Sequence, residues 1–87
     1  MITWNPRKRI ENIRAHGIDL AEAERFDFIS AVIEEDRDVQ SERRFRAIGW
    51  IDDRLYFLVY TWRGEDTHVI SLRRATKREW RRYDQKT

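Results

Sequence analysis

The chain contains no cysteine, which excludes disulfides and thiolate metal sites and fits a reducing compartment such as the cytoplasm. Its histidines are His16 and His68, distant in sequence and in neither HxxxH nor HExxH spacing, so neither a metal nor a cofactor is expected. One proline and three glycines leave no composition for a flexible linker. Long apolar runs are missing too. Leu55 to Tyr60 is the longest and is far too short to span a bilayer, and the N-terminus lacks the apolar segment of a signal peptide. No repeat or low-complexity stretch is present, and 87 residues make a single domain, 1–87.

What is present points to a folded core. Apolar residues at 40% and four tryptophans outweigh the disorder that 39% charged residues would otherwise suggest. The net charge of +2 conceals a polarity. From Asp19 to Glu42 the acids dominate, with only Arg25 and Arg37 against them. From Arg43 onward there are twelve Lys/Arg against six acids. Nearly all these cations are arginine, whose planar fork suits bidentate contact with phosphate. Such a half is a footprint of nucleic acid or of an acidic protein partner.

Local signals place the elements. Ile2-Thr3-Trp4 reads as a short strand, with Trp4 a core residue. Asn5-Pro6 then starts a helix, because Asn caps the first amides and Pro at the first turn forfeits no bond. Ile10 and Ile13 form its apolar face, and Gly17 ends it as a left-handed residue, with His16 favoured at the helix C-terminus. Asp19 and Glu22 have the spacing of a cap for a second helix that buries Leu20, Ala23 and Phe26. Strands follow at Ile29 to Glu34, with an acidic turn-rich stretch through Ser41, then at Arg43 to Ile51, Leu55 to Trp62 and Thr67 to Arg73. Asp52-Asp53 and Arg63 to Asp66 supply the turns. Thr76 and Glu79 form a capping-box pair that opens a last helix. The expected fold is α+β in the order β-α-α-β-β-β-β-α, an antiparallel sheet of four to five strands with helices mainly on one face.

Parity then divides the sheet faces. With Phe45, Ala47 and Ile51 turned to the helices, Arg44, Arg46 and Trp50 face away. On the last strand Ile70 and Leu72 take the core side, and Val69, Ser71 and Arg73 the open side. Arginines and aromatics on an open face suit single-stranded RNA, since bases stack on rings while guanidinium groups take phosphates. The stretch Val69 to Tyr83 concentrates cations at a strand-to-helix corner, although a solvated charged helix would read the same way.

Trp4-Asn5-Pro6-x-Lys8, Asn12, His16-Gly17-Ile18, Arg44-Phe45 with Ile48-Gly49, Tyr60-Thr61-x-Arg63-Gly64, Ile70-Ser71-x-Arg73-x-Ala75, Glu79 and Tyr83 together resemble the BrnT family. His68 and Trp62 depart from the family pattern, standing where an arginine and a polar residue are usual. The resemblance implies a RelE-like, barnase-related fold and a ribonuclease toxin that arrests growth by degrading RNA. It also implies a BrnA-type ribbon-helix-helix antitoxin that masks the toxin and links it to DNA only indirectly.

Cleavage of RNA without metal needs a base for the 2′-hydroxyl, an acid for the leaving oxygen and cations for the phosphorane. The candidates for catalysis are Arg44, Arg63 and Arg73 as phosphate binders, His68 or Glu79 as base, and Tyr83 as proton donor or stacking surface. Glu79 is already accounted for by its capping spacing. Lys8, Arg46, Trp50, Ser71 and Arg74 are candidates for RNA binding, Ser71 as an orienting hydroxyl. A non-catalytic nucleic-acid- or antitoxin-binding module is the alternative that the same basic face allows.

Overall fold

A computed structural model describes residues 1–37 and 42–87. Part of the acidic stretch expected to run to Ser41 therefore lies outside the described residues. Strand β1 (Ile2–Trp4) leads through Asn5 into helix α1 (Pro6–His16), where the Asn5 side chain accepts from the Arg7 amide at 2.9 Å. Gly17 closes α1 at φ 71°, its amide donating to the Ile13 carbonyl at 2.8 Å. This is the left-handed conformation that glycine adopts at no steric cost. Asp19 caps the next element, but Leu20–Arg25 is a 3₁₀ helix and not an α-helix. Glu22 does not reach back to the cap. It pairs with Arg25, which also binds Asp52.

Strands β2 (Val32–Asp36), β3 (Arg44–Ile51), β4 (Arg54–Arg63) and β5 (Asp66–Arg74) precede helix α2 (Lys77–Lys86). The α+β class and the element order match the expectation. The sheet order is β1-β5-β4-β3-β2, and β1 runs parallel to β5, so the sheet is mixed and not wholly antiparallel. A three-residue strand gives no local signal of its partner's direction. That direction follows from where α1 has to go.

The helices also divide between the faces. Leu20, Ala23 and Phe26 of the 3₁₀ segment pack on Ala47, Ile51, Leu58, Tyr60, Val69 and Leu72, and Trp4 packs against this core in part. Gly49 leaves room here for Phe26, whose ring would lie 2.7 Å from any added Cβ. Helix α2 lies across the opposite face, where Tyr83 meets Ile48 and Leu55, flanked by Trp50 and Phe57. Trp50 is therefore covered, between Trp80 and Tyr83, and does not stand on an open platform.

A bulge in β5 changes the parity expected for that strand. Val59 opposes Ser71 while Tyr60 opposes Val69, which leaves Ile70 as the extra residue. Val69 consequently joins Leu72 in the core, fully buried, instead of facing out. Ser71 and Arg73 keep the far face.

Asn12 joins α1 to the sheet. Its amide donates to the carbonyls of Ile18 (2.9 Å) and Leu72 (2.8 Å), and its Oδ1 accepts from the Leu72 amide at 3.1 Å. Since β1 pairs only as far as Val69, the side chain continues the hydrogen bonding of the β5 edge where the strand has ended. Asn12 is the one buried residue of α1. Ile10 and Ile13, expected to face inward, are 53% and 41% exposed. The helix is held at the sheet edge by a polar contact, and its apolar stripe does not enter the core.

Candidate functional site

The far face of the sheet can be followed in cross-strand rows. At the β4–β5 hairpin end the row runs Thr3, His68, Thr61, Arg44, Asp36. The next is Ser71, Val59, Arg46, Glu34, and the third is Arg73, Phe57, Ile48, Val32. Helix α2 covers the third, and Arg82 and Lys86 tie the helix to Glu34 of β2. The first row stays open.

A cleft of about 140 Å³ lies over this open end, lined by Asn5, Lys8, Glu42, Arg44, Arg63 and His68. Four of the eleven predicted site residues meet here: Lys8, Arg44, Arg63 and His68. Arg44 makes no ion pair among the described residues, and its Nε is buried without a hydrogen-bond acceptor. A buried donor left unmade costs about 1–3 kcal/mol, so Arg44 keeps hydrogen-bonding capacity that the described residues do not use. Arg63 is more than half exposed and touches Glu42 at 3.8 Å, a loose contact that leaves its donors available. Among the described residues Lys8 pairs with Glu11 alone, at 3.4 Å on the surface. Helix α1 starts at this cleft with no acidic residue in its first turn, so its positive end adds to the field.

His68 is held by a 2.9 Å hydrogen bond between Nδ1 and the Thr3 hydroxyl, which leaves Nε2 as the free ring nitrogen. Burial lowers its pKa below the usual 6.5, the Arg63 charge lowers it further, and Glu42 acts in the opposite sense. The imidazole is therefore neutral at pH 7 and able to accept a proton. Among the described residues no three His, Asp or Glu side chains converge as a metal site would require.

The remaining candidates are placed elsewhere. Arg46 lies in the second row, in a shallow recess with Glu34 and Arg82. Ser71 opens onto a recess beside Lys8 and Asn12. Arg73 and Glu79 form a two-bond pair at 2.8 and 2.9 Å, and the Arg73 guanidinium sits 4.4 Å over the Phe57 ring. Glu79 also accepts from the Thr76 amide, completing the capping box. Burial alone would raise the Glu79 pKa, but its hydrogen bonds from Arg73 and Thr76 leave it lowered. Tyr83 is buried, accepting from Trp50 Nε1 at 3.0 Å and donating to the Ser30 carbonyl at 3.2 Å. Arg74 turns to the other face, over Tyr56, into a groove with Arg54 and His16.

Glu42 was missed by sequence reasoning, which counted it only among the acids of the middle segment. Its signal was the two-residue spacing to Arg44, which puts both on one side of an extended chain. Asn5 was read as a cap and is one, yet it also lines the cleft.

Fold and cleft together define a small α+β domain that presents a cationic, histidine-bearing cleft at the open end of a mixed sheet. Residues 4–79 match the family described as the ribonuclease toxin BrnT of type II toxin–antitoxin systems, and the chain belongs to that family. The crystal structure of the Brucella abortus ribonuclease toxin BrnT, at 1.1 Å, is similar at 31% identity and a TM-score of 0.71. That similarity covers 87% of this chain and 96% of the Brucella one. No curated protein sequence matches significantly.

Proposed function

We propose that this toxin is a metal-independent endoribonuclease acting in the cytoplasm, and that its chemistry takes place in the cleft of Lys8, Arg44, Arg63 and His68. The observation that carries the reading is the meeting of Arg44, Arg63 and Lys8 with a histidine of lowered pKa in one cleft. A phosphodiester in the cleft would take its hydrogen bonds from the guanidinium groups of Arg44 and Arg63 and from the Lys8 ammonium. In this reaction the ribose 2′-oxygen bonds to the adjacent phosphorus as its proton passes to His68 Nε2. The 5′-oxygen leaves with a proton from solvent at the cleft mouth. The products are a cyclic phosphate and a 5′-hydroxyl end. Arg44, Arg63 and Lys8 stabilise the extra charge of the phosphorane, a contribution of about 3–4 kcal/mol for a well-placed donor. Proton transfer adds about a hundredfold to ten-thousandfold.

Arg73, Glu79 and Tyr83, candidates for catalysis on sequence grounds, act in this reading as the scaffold that fixes α2. Each is held by hydrogen bonds within the protein. RNA degradation would arrest translation and growth. A BrnA-type ribbon-helix-helix antitoxin would neutralise the toxin and bring it to DNA. Membership of a toxin–antitoxin family supports a partner of this kind.

The test is to incubate purified, antitoxin-free protein with RNA in EDTA and to identify the product ends. Cyclic or 3′-phosphate ends that disappear in a folded Arg44→Ala variant are expected. Intact RNA under all conditions, with salt-sensitive binding retained, would leave a binding module in place of an enzyme.

A further inference from the structure

We propose that the indole of Trp62 is a stacking site for an unpaired nucleobase of the RNA strand that occupies the cleft. This rests on the ribonuclease reading and extends it beyond the scissile phosphate. At the hairpin end of the sheet, neighbouring residues diverge to the two faces. Glu42, Arg44 and Arg63 line the cleft, whereas Arg43, Phe45 and Trp62 turn to the other side. Trp62 directly precedes Arg63, so a strand leaving the cleft over this edge would pass from the guanidinium on one side to the indole on the other.

The ring is held in place by its neighbours. Tyr60 is buried and fixed by Phe28 at 5.5 Å and by Phe45 stacked at 5.4 Å. Trp62 meets the Tyr60 ring in an edge contact at 5.7 Å and 87°, yet is 54% exposed. An indole supported from behind and open in front is a preorganised stacking surface, and it accepts any base because every base has a π-face. The charges nearby favour a base over a phosphate. Arg43 lies 5.5 Å over Phe45, but its guanidinium is already bound to Glu35 at 2.9 and 3.0 Å. The two charges cancel, which removes the attraction that Arg43 would otherwise offer a phosphate and leaves a neutral ring as the fitting occupant.

The experiment measures anisotropy-based affinity for a short, uniformly 2′-O-methylated RNA that cannot be cleaved, with and without an abasic site. Trp62→Ala should weaken binding about tenfold, and Trp62→Phe should stay within about threefold of the parent. The salt slope should be unchanged in Trp62→Ala but shallower by about 0.7 in Arg63→Ala, which loses a phosphate contact. With an RNA abasic at the stacked position, Trp62→Ala should cost nothing further. Unchanged affinity in a folded Trp62→Ala variant, or an equal loss on intact and abasic RNA, would overturn the proposal. The same holds if Trp62→Ala weakens only antitoxin binding. If the parent protein neither binds nor cleaves RNA, the ribonuclease reading itself falls and this one with it.

Discussion

Replacing Asn12 should destabilise the protein more than any other single polar change, and the cause can be isolated. The side chain satisfies three backbone groups, of which the amide and carbonyl of Leu72 belong to a fully buried residue. Each buried group left unpaired costs about 1–3 kcal/mol, so Asn12→Ala should lose about 2–5 kcal/mol. A chain of this length has a total stability of roughly 4–13 kcal/mol, so the loss is a large fraction of it. Tm should fall by about 8–40 °C, at roughly 4–8 °C per kcal/mol. Asn12→Leu keeps the branched shape in a somewhat larger side chain but makes no hydrogen bond, and should lose about as much as Asn12→Ala. Asn12→Asp at neutral pH keeps only the acceptor for the Leu72 amide and sets a negative charge against two carbonyls. It should regain stability on acidification, when the protonated acid can donate again. Urea denaturation with an unchanged m-value reads all three. An Asn12→Leu variant within about 0.5 kcal/mol of the parent would refute the reasoning, because packing alone would then explain the site.

Other outcomes follow from particular contacts. Gly49→Ala places a Cβ 2.7 Å from Phe26 and 3.0 Å from Ala31 Cβ, and should cost about 1–3 kcal/mol in chemical denaturation. Glu79→Gln removes the charge from the Arg73 pair and weakens the cap, and should lower stability by about 1–2 kcal/mol. The lowered pKa of His68 means that the unfolded chain binds a proton first as pH falls. Stability should therefore decline below about pH 6.5, and a His68→Gln variant should lack that part of the decline. Glu79 has the opposite behaviour: its contribution is present above the unfolded pKa and is lost as pH falls through the lowered folded one.

Where the sequence was legible, short-range chemistry explains it. Asn5-Pro6, Gly17 and the Thr76–Glu79 pair each determine a helix end within four residues, and alternation in β3 exposes its two faces. The corrections come from contacts distant in sequence. In β5 the run Val69-Ile70-Ser71-Leu72 carries apolar residues at both parities, so nothing local marks Ile70 as the bulge. Asn12 meets Leu72 across 60 positions, and nothing in α1 indicates that an amide, not the Ile10 and Ile13 stripe, docks the helix. The site was legible as residue types but not as an assembly. Lys8, Arg44, Arg63 and His68 come together because β1 runs parallel to β5 and delivers the first turn of α1 beside Val69 and Ile70. Arg73 and Tyr83 are candidates on the same grounds, but Arg73 is bound to Glu79 of α2 and Tyr83, within α2, is bonded to Trp50 and Ser30.

The central claim is that the chemistry belongs to the cleft and not to the α2 corner, and single-turnover RNA cleavage by three folded variants tests it. Arg44→Ala and His68→Ala should each slow cleavage by about a hundredfold or more, while Tyr83→Phe, though less stable, should stay within about threefold. Loss of cleavage in Tyr83→Phe, with His68→Ala and Arg44→Ala fully active, would contradict the account.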